Sequence, residues 1–264
     1  MARTLVVANQ KGGVGKTTTS VNLATALAAA ERRVLLIDMD PQANASTGLG
    51  ISKRQRIFNT YNLLIGECTL SQVLIKTNIP GLSIIPSSID LLGAEVELVH
   101  MENRSMILKE ILEPYQDMFD YIIIDCPPSM GLLTLNAMIA ANAVLVPLQC
   151  EYYALEGLSY LLSSIHKIKR THNPGLSLFG VVLTMYDKRS SLCQMVAKDV
   201  RQFLGDKVFK TEIPRNSKVS EAPSHGKPVL LYDMKSVGAQ GYMNLAREIV
   251  QKEYNHQSTL PLAQ

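Results

Sequence analysis

The sequence contains few cysteines, and none of them forms a metal-binding pair. Its four cysteines, Cys68, Cys126, Cys150 and Cys193, are widely spaced and form no C-x-x-C motif. This spacing suggests neither a zinc site nor an iron–sulfur site within one chain. Reduced thiols of a cytosolic protein are the expectation.

Long apolar runs are also missing. No run approaches the roughly 18 residues that a membrane span needs, and no charged-then-apolar leader with a cleavage site precedes the first predicted strand. Internal repeats and low-complexity tracts are absent as well. Charged residues make up 19% of the chain and the net charge is only +3. We therefore expect a soluble, cytoplasmic, globular protein without stable membrane association.

Apolar β-rich runs alternate with segments of helical period along the chain. Runs such as Val34–Ile37 and Tyr121–Ile124 are apolar on both faces, which is typical of strands covered on both sides. We predict one α/β domain over residues 1–254, with a mostly parallel central sheet flanked by helices on both faces, and a short polar tail over residues 255–264. The predicted strands are Arg3–Ala8, Arg33–Asp38, Leu82–Pro86, Tyr121–Asp125, Ala143–Pro147, Leu178–Thr184 and Val208–Ile213. The predicted helices are Lys16–Ala30, Ile89–Leu112, Leu132–Ala140, Leu155–Thr171, Ser191–Leu204 and Ser236–Tyr254.

The least regular stretch, Pro41–Glu67, is rich in Asn, Ser, Gly and basic residues. We predict a mobile surface segment next to the ligand. An ordinary surface connection with a short helix explains its C-terminal half equally well.

A glycine-rich stretch lies between the first predicted strand and the first predicted helix. The pattern G-x-x-x-x-G-K-[ST] fails here, because Gln10 stands where its first glycine belongs. What remains is a compact variant in a strand–turn–helix context, which favours a phosphate-binding loop over a tight turn without a ligand. Lys16 is placed to reach the β- and γ-phosphates and the Thr17 hydroxyl to hold Mg²⁺. The predicted nucleotide-binding residues are Lys11, Gly12, Gly13, Val14, Gly15, Lys16, Thr17 and Thr18.

Three carboxylates follow predicted strands. Asp38 and Asp40 are two residues apart, which on a strand places both on one face, and Asp125 follows four apolar residues. Each alone is more often a cap or turn residue. Together with the loop they indicate a metal-nucleotide site, because ligands of open α/β sheets bind beyond the carboxyl ends of the strands.

These motifs resemble those of the deviant-Walker partition ATPases, the ParA/Soj family. The resemblance covers nearly the whole chain, without a departure at any motif position. It rests on Asn9–Thr18, Asp38–Gln42, Ile124–Pro128, Leu183–Asp187, Ile213–Asn216 and Ser220–Ser224.

The resemblance implies a P-loop NTPase that uses ATP and Mg²⁺. It implies that Lys16 binds the phosphates, that Thr17 is a Mg²⁺ ligand, and that Asp38 and Asp125 support the Mg²⁺ shell.

The resemblance also implies roles beyond the phosphates. Lys11 would reach across an ATP-dependent homodimer to the partner's nucleotide, and Asp40 would orient the attacking water. Pro214 and Asn216 would contact the adenine. The alternative for Lys11 is a solvated surface charge.

A basic excess lies in the C-terminal part of the sequence. Residues 188–247 carry eleven cationic and five acidic side chains. Charge alone leaves open whether this is an ordinary solvated face or a surface for nucleic-acid phosphates. The resemblance favours non-specific binding of double-stranded DNA, with Arg189, Arg215 and Lys218 as predicted phosphate contacts.

The family implies a nucleoid-associated partition protein whose ATP hydrolysis is stimulated by a ParB/Spo0J-like centromere-binding protein. A membrane-cycling ATPase of the MinD type is the alternative, but it needs a basic amphipathic terminal helix that is not evident here. A reductase of the nitrogenase iron-protein type would need two suitably placed cysteines. The settings of Cys126 and Cys150 do not resemble that family's ligand motifs.

Overall fold

The computed structural model describes residues 1–258. Its core is an eight-stranded sheet in the order β3-β4-β2-β5-β1-β6-β7-β8, parallel throughout except for the antiparallel pair β3–β4. The strands are β1 (Arg3–Val7), β2 (Val34–Asp38), β3 (Ile75–Lys76), β4 (Leu82–Ile85), β5 (Tyr121–Asp125), β6 (Ala143–Gln149), β7 (Ser177–Tyr186) and β8 (Val208–Pro214). The helices are α1 (Lys16–Ala29), α2 (Asn44–Gly48), α3 (Thr60–Leu64), α4 (Leu70–Val73), α5 (Leu91–Glu97), α6 (Ile107–Leu112), α7 (Leu132–Ala140), α8 (Ala154–Thr171), α9 (Ser191–Leu204), α10 (Ser217–Glu221), α11 (Val229–Tyr232) and α12 (Val237–Ser258).

The strands bury side chains on both faces of the sheet. On β1, Leu5 and Val7 pack in the cluster that contains α1 and α12, while Val6 packs in the cluster that contains α7 and α8. Every residue of β2 and of β5 is buried. The predicted α/β architecture is thus confirmed, and every predicted strand is present with ends within two residues of the prediction.

The predicted long helix Ile89–Leu112 is wrong. The chain forms α5, a short 3₁₀ turn and then α6, because Met101 is extended and Asn103 has a φ of 56°. A left-handed residue cannot continue an α-helix, and asparagine tolerates that conformation better than most residues.

The segment 41–67 is not simply a surface segment, so that prediction is wrong for its buried part. Ser46 and Thr60 are fully buried, and Leu63 and Leu64 join the core. The Thr60 hydroxyl donates to the carbonyl of Asp38 at 2.7 Å and lies 3.0 Å from the carbonyl of Pro86. These bonds fix the segment against the carboxyl end of β2.

The last helix, α12, packs on the sheet through Tyr242, Leu245 and Ile249, which are fully or almost fully buried. It extends to Ser258, four residues beyond its predicted end. The remainder of the predicted tail, residues 259–264, lies outside the described residues. Within residues 1–258, no helix combines the length and the apolar character that crossing a bilayer requires.

Candidate active site

The loop between β1 and α1 is shaped by two left-handed glycines. Gly13 has a φ of 74° and Gly15, the residue before α1, has a φ of 86°. Side chains other than glycine rarely adopt these angles. The loop delivers the chain directly into the N-terminus of α1, where unpaired N–H groups and the helix dipole favour an anion.

Lys16 turns back into this loop. Its side chain is almost buried, with the residue 7% exposed, and its Nζ donates to the carbonyl of Lys11 at 3.0 Å. Burial lowers the pKa of Lys16, while the nearby charges of Asp125 and Asp40 oppose that shift. The loop therefore holds a cation at its centre, close to the acidic strand ends.

Lys11, in contrast, turns outward. Its ammonium forms an ion pair with the carboxylate of Glu151, and both side chains are 43% exposed. The backbone N–H of Lys11 donates to Asn9 Oδ1 at 3.0 Å, and the Asn9 amide donates to the carbonyl of Pro147 at 2.8 Å. Asn9 thus fastens the start of the loop to β6, while the Lys11 side chain stays at the surface.

Asp125 ends β5 and is fully buried. Its Oδ1 accepts a hydrogen bond from the Ser20 hydroxyl at 2.8 Å, whereas Oδ2 is buried and has no hydrogen-bond partner among residues 1–258. Burial is the largest cause that raises the pKa of Asp125, to about 8, and the charge of Asp38 adds to it, while the nearby hydroxyls of Ser20 and Thr17 oppose the shift. A buried carboxylate oxygen of this kind suits a cation.

Asp38 is the register neighbour of Asp125 at the end of β2 and is also fully buried. Its Oδ2 accepts hydrogen bonds from the N–H and the hydroxyl of Ser46 at 2.8 and 2.7 Å. Burial raises the pKa of Asp38 to about 6, and the bonds from Ser46 counteract part of that shift. Asp38 therefore anchors α2 to the sheet.

Asp40 does not share a strand face with Asp38, contrary to the spacing argument. β2 ends at Asp38, and the N–H of Asp40 donates to Asp38 Oδ1 at 3.2 Å in a turn. Asp40 is 8% exposed, and its Oδ1 accepts the N–H of Gln42 at 2.9 Å. The turn nevertheless keeps its carboxylate near Lys16.

Within the described part of the chain, no three Asp, Glu, His or Cys side chains come together to enclose a metal ion. Mg²⁺ does not need such a cage, because it commonly takes one or two protein oxygens and fills its shell with phosphate oxygens and waters. Asp125 Oδ2 and the neighbouring Thr17 hydroxyl fit that partial donor set.

Asp125→Asn is expected to flatten the pH dependence of stability of the nucleotide-free, magnesium-free protein. In an unfolded chain the pKa of aspartate is about 3.9, whereas burial raises that of Asp125 to about 8. Between these two pKa values the folded state therefore holds a proton that the unfolded state has lost. The free energy of unfolding falls as the pH rises through this range, until Asp125 is ionised in both states above about pH 8. Calorimetry at pH 5, 7 and 9 should show a steeper fall in melting temperature for wild type. Equal slopes would mean that Asp125 does not titrate in this range.

The ends of β7 and β8 bring the predicted base and DNA residues to the same edge of the sheet. Tyr186 pairs with Pro214, and the Tyr186 carbonyl accepts the N–H of Arg215 at 3.3 Å. Asn216 follows, and its Oδ1 is buried without a hydrogen-bond partner in the described chain.

The three predicted DNA contacts are surface cations near these strand ends. Arg215 is exposed. The Arg189 side chain is 90% exposed and forms a two-bond ion pair with Asp187. Lys218 pairs with Glu221 at 2.9 Å. Exposed ion pairs contribute little stability, so both cations can exchange partners.

Two cavities formed by residues 1–258 bear on the position of a ligand. One of about 270 Å³ lies beside the loop, between α1, α2 and the segment after β8, and is lined by Thr17, Thr18, Val219 and Pro223 among others. The larger, of about 720 Å³, includes Arg3, Phe179 and Lys252 in its lining but no residue of the glycine-rich loop. The smaller cavity is therefore the one relevant to a ligand at the loop.

Sequence reasoning missed several residues that support this site: Asn9, Ser20, Ser46, Glu151 and Thr184. Glu151 meets Lys11 across 140 residues of sequence, and no local pattern points to it. Thr184 lies in Leu183–Asp187, one of the stretches on which the family resemblance rests. That resemblance is the one feature of the sequence that could have pointed to Thr184.

A family model described as "AAA domain" matches residues 2–178. The chromosome partitioning protein ParA of Caulobacter vibrioides NA1000 is 55% identical over 258 residues, covering 97% of both chains. The chromosome-partitioning ATPase Soj of Treponema pallidum Nichols is 52% identical over 253 residues, covering 96% of this chain and 99% of the relative. A solved structure of cobyrinic acid a,c-diamide synthase from Mycobacterium smegmatis, with an ATP analogue and magnesium, is 37% identical over 97% of both chains, with a TM-score of 0.87. The chain belongs to the ParA/Soj family of chromosome-partitioning ATPases.

Proposed function

We propose that this ATPase is a partition switch in which Mg-ATP closes a homodimer, the dimer binds DNA without sequence preference, and hydrolysis releases it. The observation that carries the proposal is the position of two lysines of one loop. Lys16 is buried at the centre of the loop, whereas Lys11 lies at the surface on Glu151. Lys11 is thus available to a second copy while Lys16 serves its own site.

In this scheme the loop residues Gly12–Thr18, with the Lys16 ammonium among them, bind the phosphates of ATP. Thr17 and Asp125 hold Mg²⁺, and Asp38 supports them from the next strand. Mg²⁺ held by these residues would supply positive charge to the phosphate oxygens during transfer of the terminal phosphoryl group to water. Asp40 orients that water, and Lys11 contributes its charge in the partner's site as an arginine finger does in other NTPases.

In the proposed complex, adenine contacts Pro214 and Asn216. Asn216 Oδ1 is buried and has no hydrogen-bond partner within residues 1–258, and the exocyclic amine of adenine is a donor that could supply one. Guanine has an acceptor at the corresponding position, so the same oxygen would disfavour GTP.

The DNA surface consists of Arg189, Arg215 and Lys218, near the ends of β7 and β8. Phosphate contacts by exposed cations give affinity without base readout. The same family relationship supports a ParB/Spo0J-like centromere-binding partner that stimulates hydrolysis, and a nucleoid location for the ATP-bound dimer.

The test is binding to two unrelated double-stranded DNA fragments with ATP, with ADP and without nucleotide, followed by fluorescence anisotropy. We expect at least tenfold tighter binding with ATP and equal affinity for both sequences. Arg215→Ala should weaken binding to both fragments and lower the salt slope by about one. Arg170→Ala, an equal charge change at the exposed end of α8, is the matched control. Equal affinity in all nucleotide states would contradict the switch.

Other classes of protein with the same ATPase fold would give different experimental results. ATP-dependent sedimentation with anionic liposomes would support a membrane-cycling ATPase of the MinD type, although Tyr242, Leu245 and Ile249 of α12 pack against the sheet. An iron–sulfur reductase would need accessible cysteines to share a cluster between subunits, but all four are buried.

A further inference from the structure

Thr184 joins the glycine-rich loop to β7 across 170 residues of sequence. Its hydroxyl donates to the carbonyl of Val14 at 2.8 Å, and the residue is only 2% exposed. Thr184 also lies near Gly15, since a Cβ built on that glycine would be 3.9 Å from Thr184 Cβ.

The bonded carbonyl belongs to a peptide that needs an external constraint. Gly13 and Gly15, on either side of Val14, both have left-handed φ angles, and glycine rotates between conformations at little cost. The carbonyl of Val14 and the N–H of Gly15 belong to one planar trans peptide and therefore point in opposite directions. Holding the carbonyl toward β7 holds the Gly15 N–H away from β7.

We propose that Thr184 is a positioning residue for ATP. By fixing the Val14–Gly15 peptide, it keeps the Gly15 N–H directed at the phosphates, without touching the nucleotide itself. The inference rests on the nucleotide site alone, so it stands or falls independently of dimerisation and DNA binding.

A purely structural role for Thr184 in β7 is the competing explanation, and three variants separate the two. Thr184→Val keeps the shape but leaves the Val14 carbonyl without its donor. Thr184→Ser keeps the hydroxyl but loses a methyl group. Val182→Ala removes fully buried bulk two residues earlier on the same strand, so it perturbs β7 but keeps the hydrogen bond from Thr184 to Val14.

Affinity for Mg-ATP, measured with a fluorescent analogue alongside melting temperature, is the readout. We expect Thr184→Val to bind about tenfold more weakly, which is the loss of about one hydrogen bond. Thr184→Ser should stay within threefold of wild type, and Val182→Ala should melt earlier with unchanged affinity. If Thr184→Val does not fold, Thr184→Ala against Thr184→Ser gives the same contrast. Wild-type affinity in a variant without the hydroxyl, or equal weakening in the serine variant, would overturn the proposal.

Discussion

Lys16→Ala is expected to lose ATP binding by at least a hundredfold and, with it, ATP-dependent DNA binding. The Lys16 ammonium lies inside the loop, 7% exposed, and close to Asp125 and Asp40. Its removal takes away the cation that we propose binds the phosphates and leaves the acidic strand ends uncompensated. Charge-assisted hydrogen bonds contribute about 1.5–3 kcal/mol each, and two of them account for the expected loss.

Lys11→Ala is the matched control for Lys16→Ala. It removes the same charge from the same loop, but from a side chain that is 43% exposed and paired with Glu151. It should therefore bind ATP within a few-fold of wild type. Isothermal calorimetry on both variants checks this contrast. A Lys16→Ala protein that retains ATP affinity, or a Lys11→Ala protein that loses it equally, would reverse the assignment of the two lysines.

Asp40→Ala is expected to bind ATP and DNA but to hydrolyse ATP at least a hundredfold more slowly, so that it stays on DNA. Positioned groups that handle the attacking water contribute about 10²–10⁴ in rate. Asp40 is almost buried near Lys16, and the oxygen that accepts the Gln42 N–H fixes its carboxylate. Phosphate release and DNA retention after ATP is diluted out are the measurements.

Asp40→Asn separates charge from shape in this prediction. It keeps an oxygen for the Gln42 N–H, so the turn after β2 is retained, but it lacks the negative charge. It should be as slow as Asp40→Ala. Hydrolysis at the wild-type rate in both variants would remove Asp40 from the reaction, and rapid loss of DNA from them would separate hydrolysis from release.

Local sequence patterns predicted the part of this site that is formed by residues close together in sequence. Val34–Asp38 and Tyr121–Asp125 are short apolar runs that end in a carboxylate, and the parallel sheet places these ends side by side. The contacts Lys11–Glu151 and Val14–Thr184 join residues 140 and 170 positions apart. Only the folded chain reveals such pairs, because no periodicity links their members.

The wrong predictions have the same kind of cause. Segment 41–67 has a loop-like composition, yet buried hydrogen bonds from Ser46 and Thr60 to Asp38 attach it to the sheet. In this segment, hydrogen bonds to residues elsewhere in the fold determine burial more strongly than the residue composition does. The helix predicted through Asn103 is interrupted because Met101 is extended and Asn103 takes a left-handed conformation, which hydrophobic spacing does not report.

The ion pair between Lys11 and Glu151 bears directly on dimerisation. To reach a partner's nucleotide, Lys11 must first leave Glu151. Both side chains are half-exposed, so breaking the pair costs about 1 kcal/mol or less. A triphosphate in a closed dimer offers more charge than one carboxylate, which favours the exchange.

Light scattering during size-exclusion chromatography, with Mg²⁺ and a non-hydrolysable ATP analogue, tests most directly the proposal that two chains share the nucleotide site. Wild type should elute with the mass of two chains in the analogue and of one chain in ADP, and Lys11→Ala should remain a single chain in both. A wild-type protein that stays a single chain with the analogue bound would contradict the trans role of Lys11.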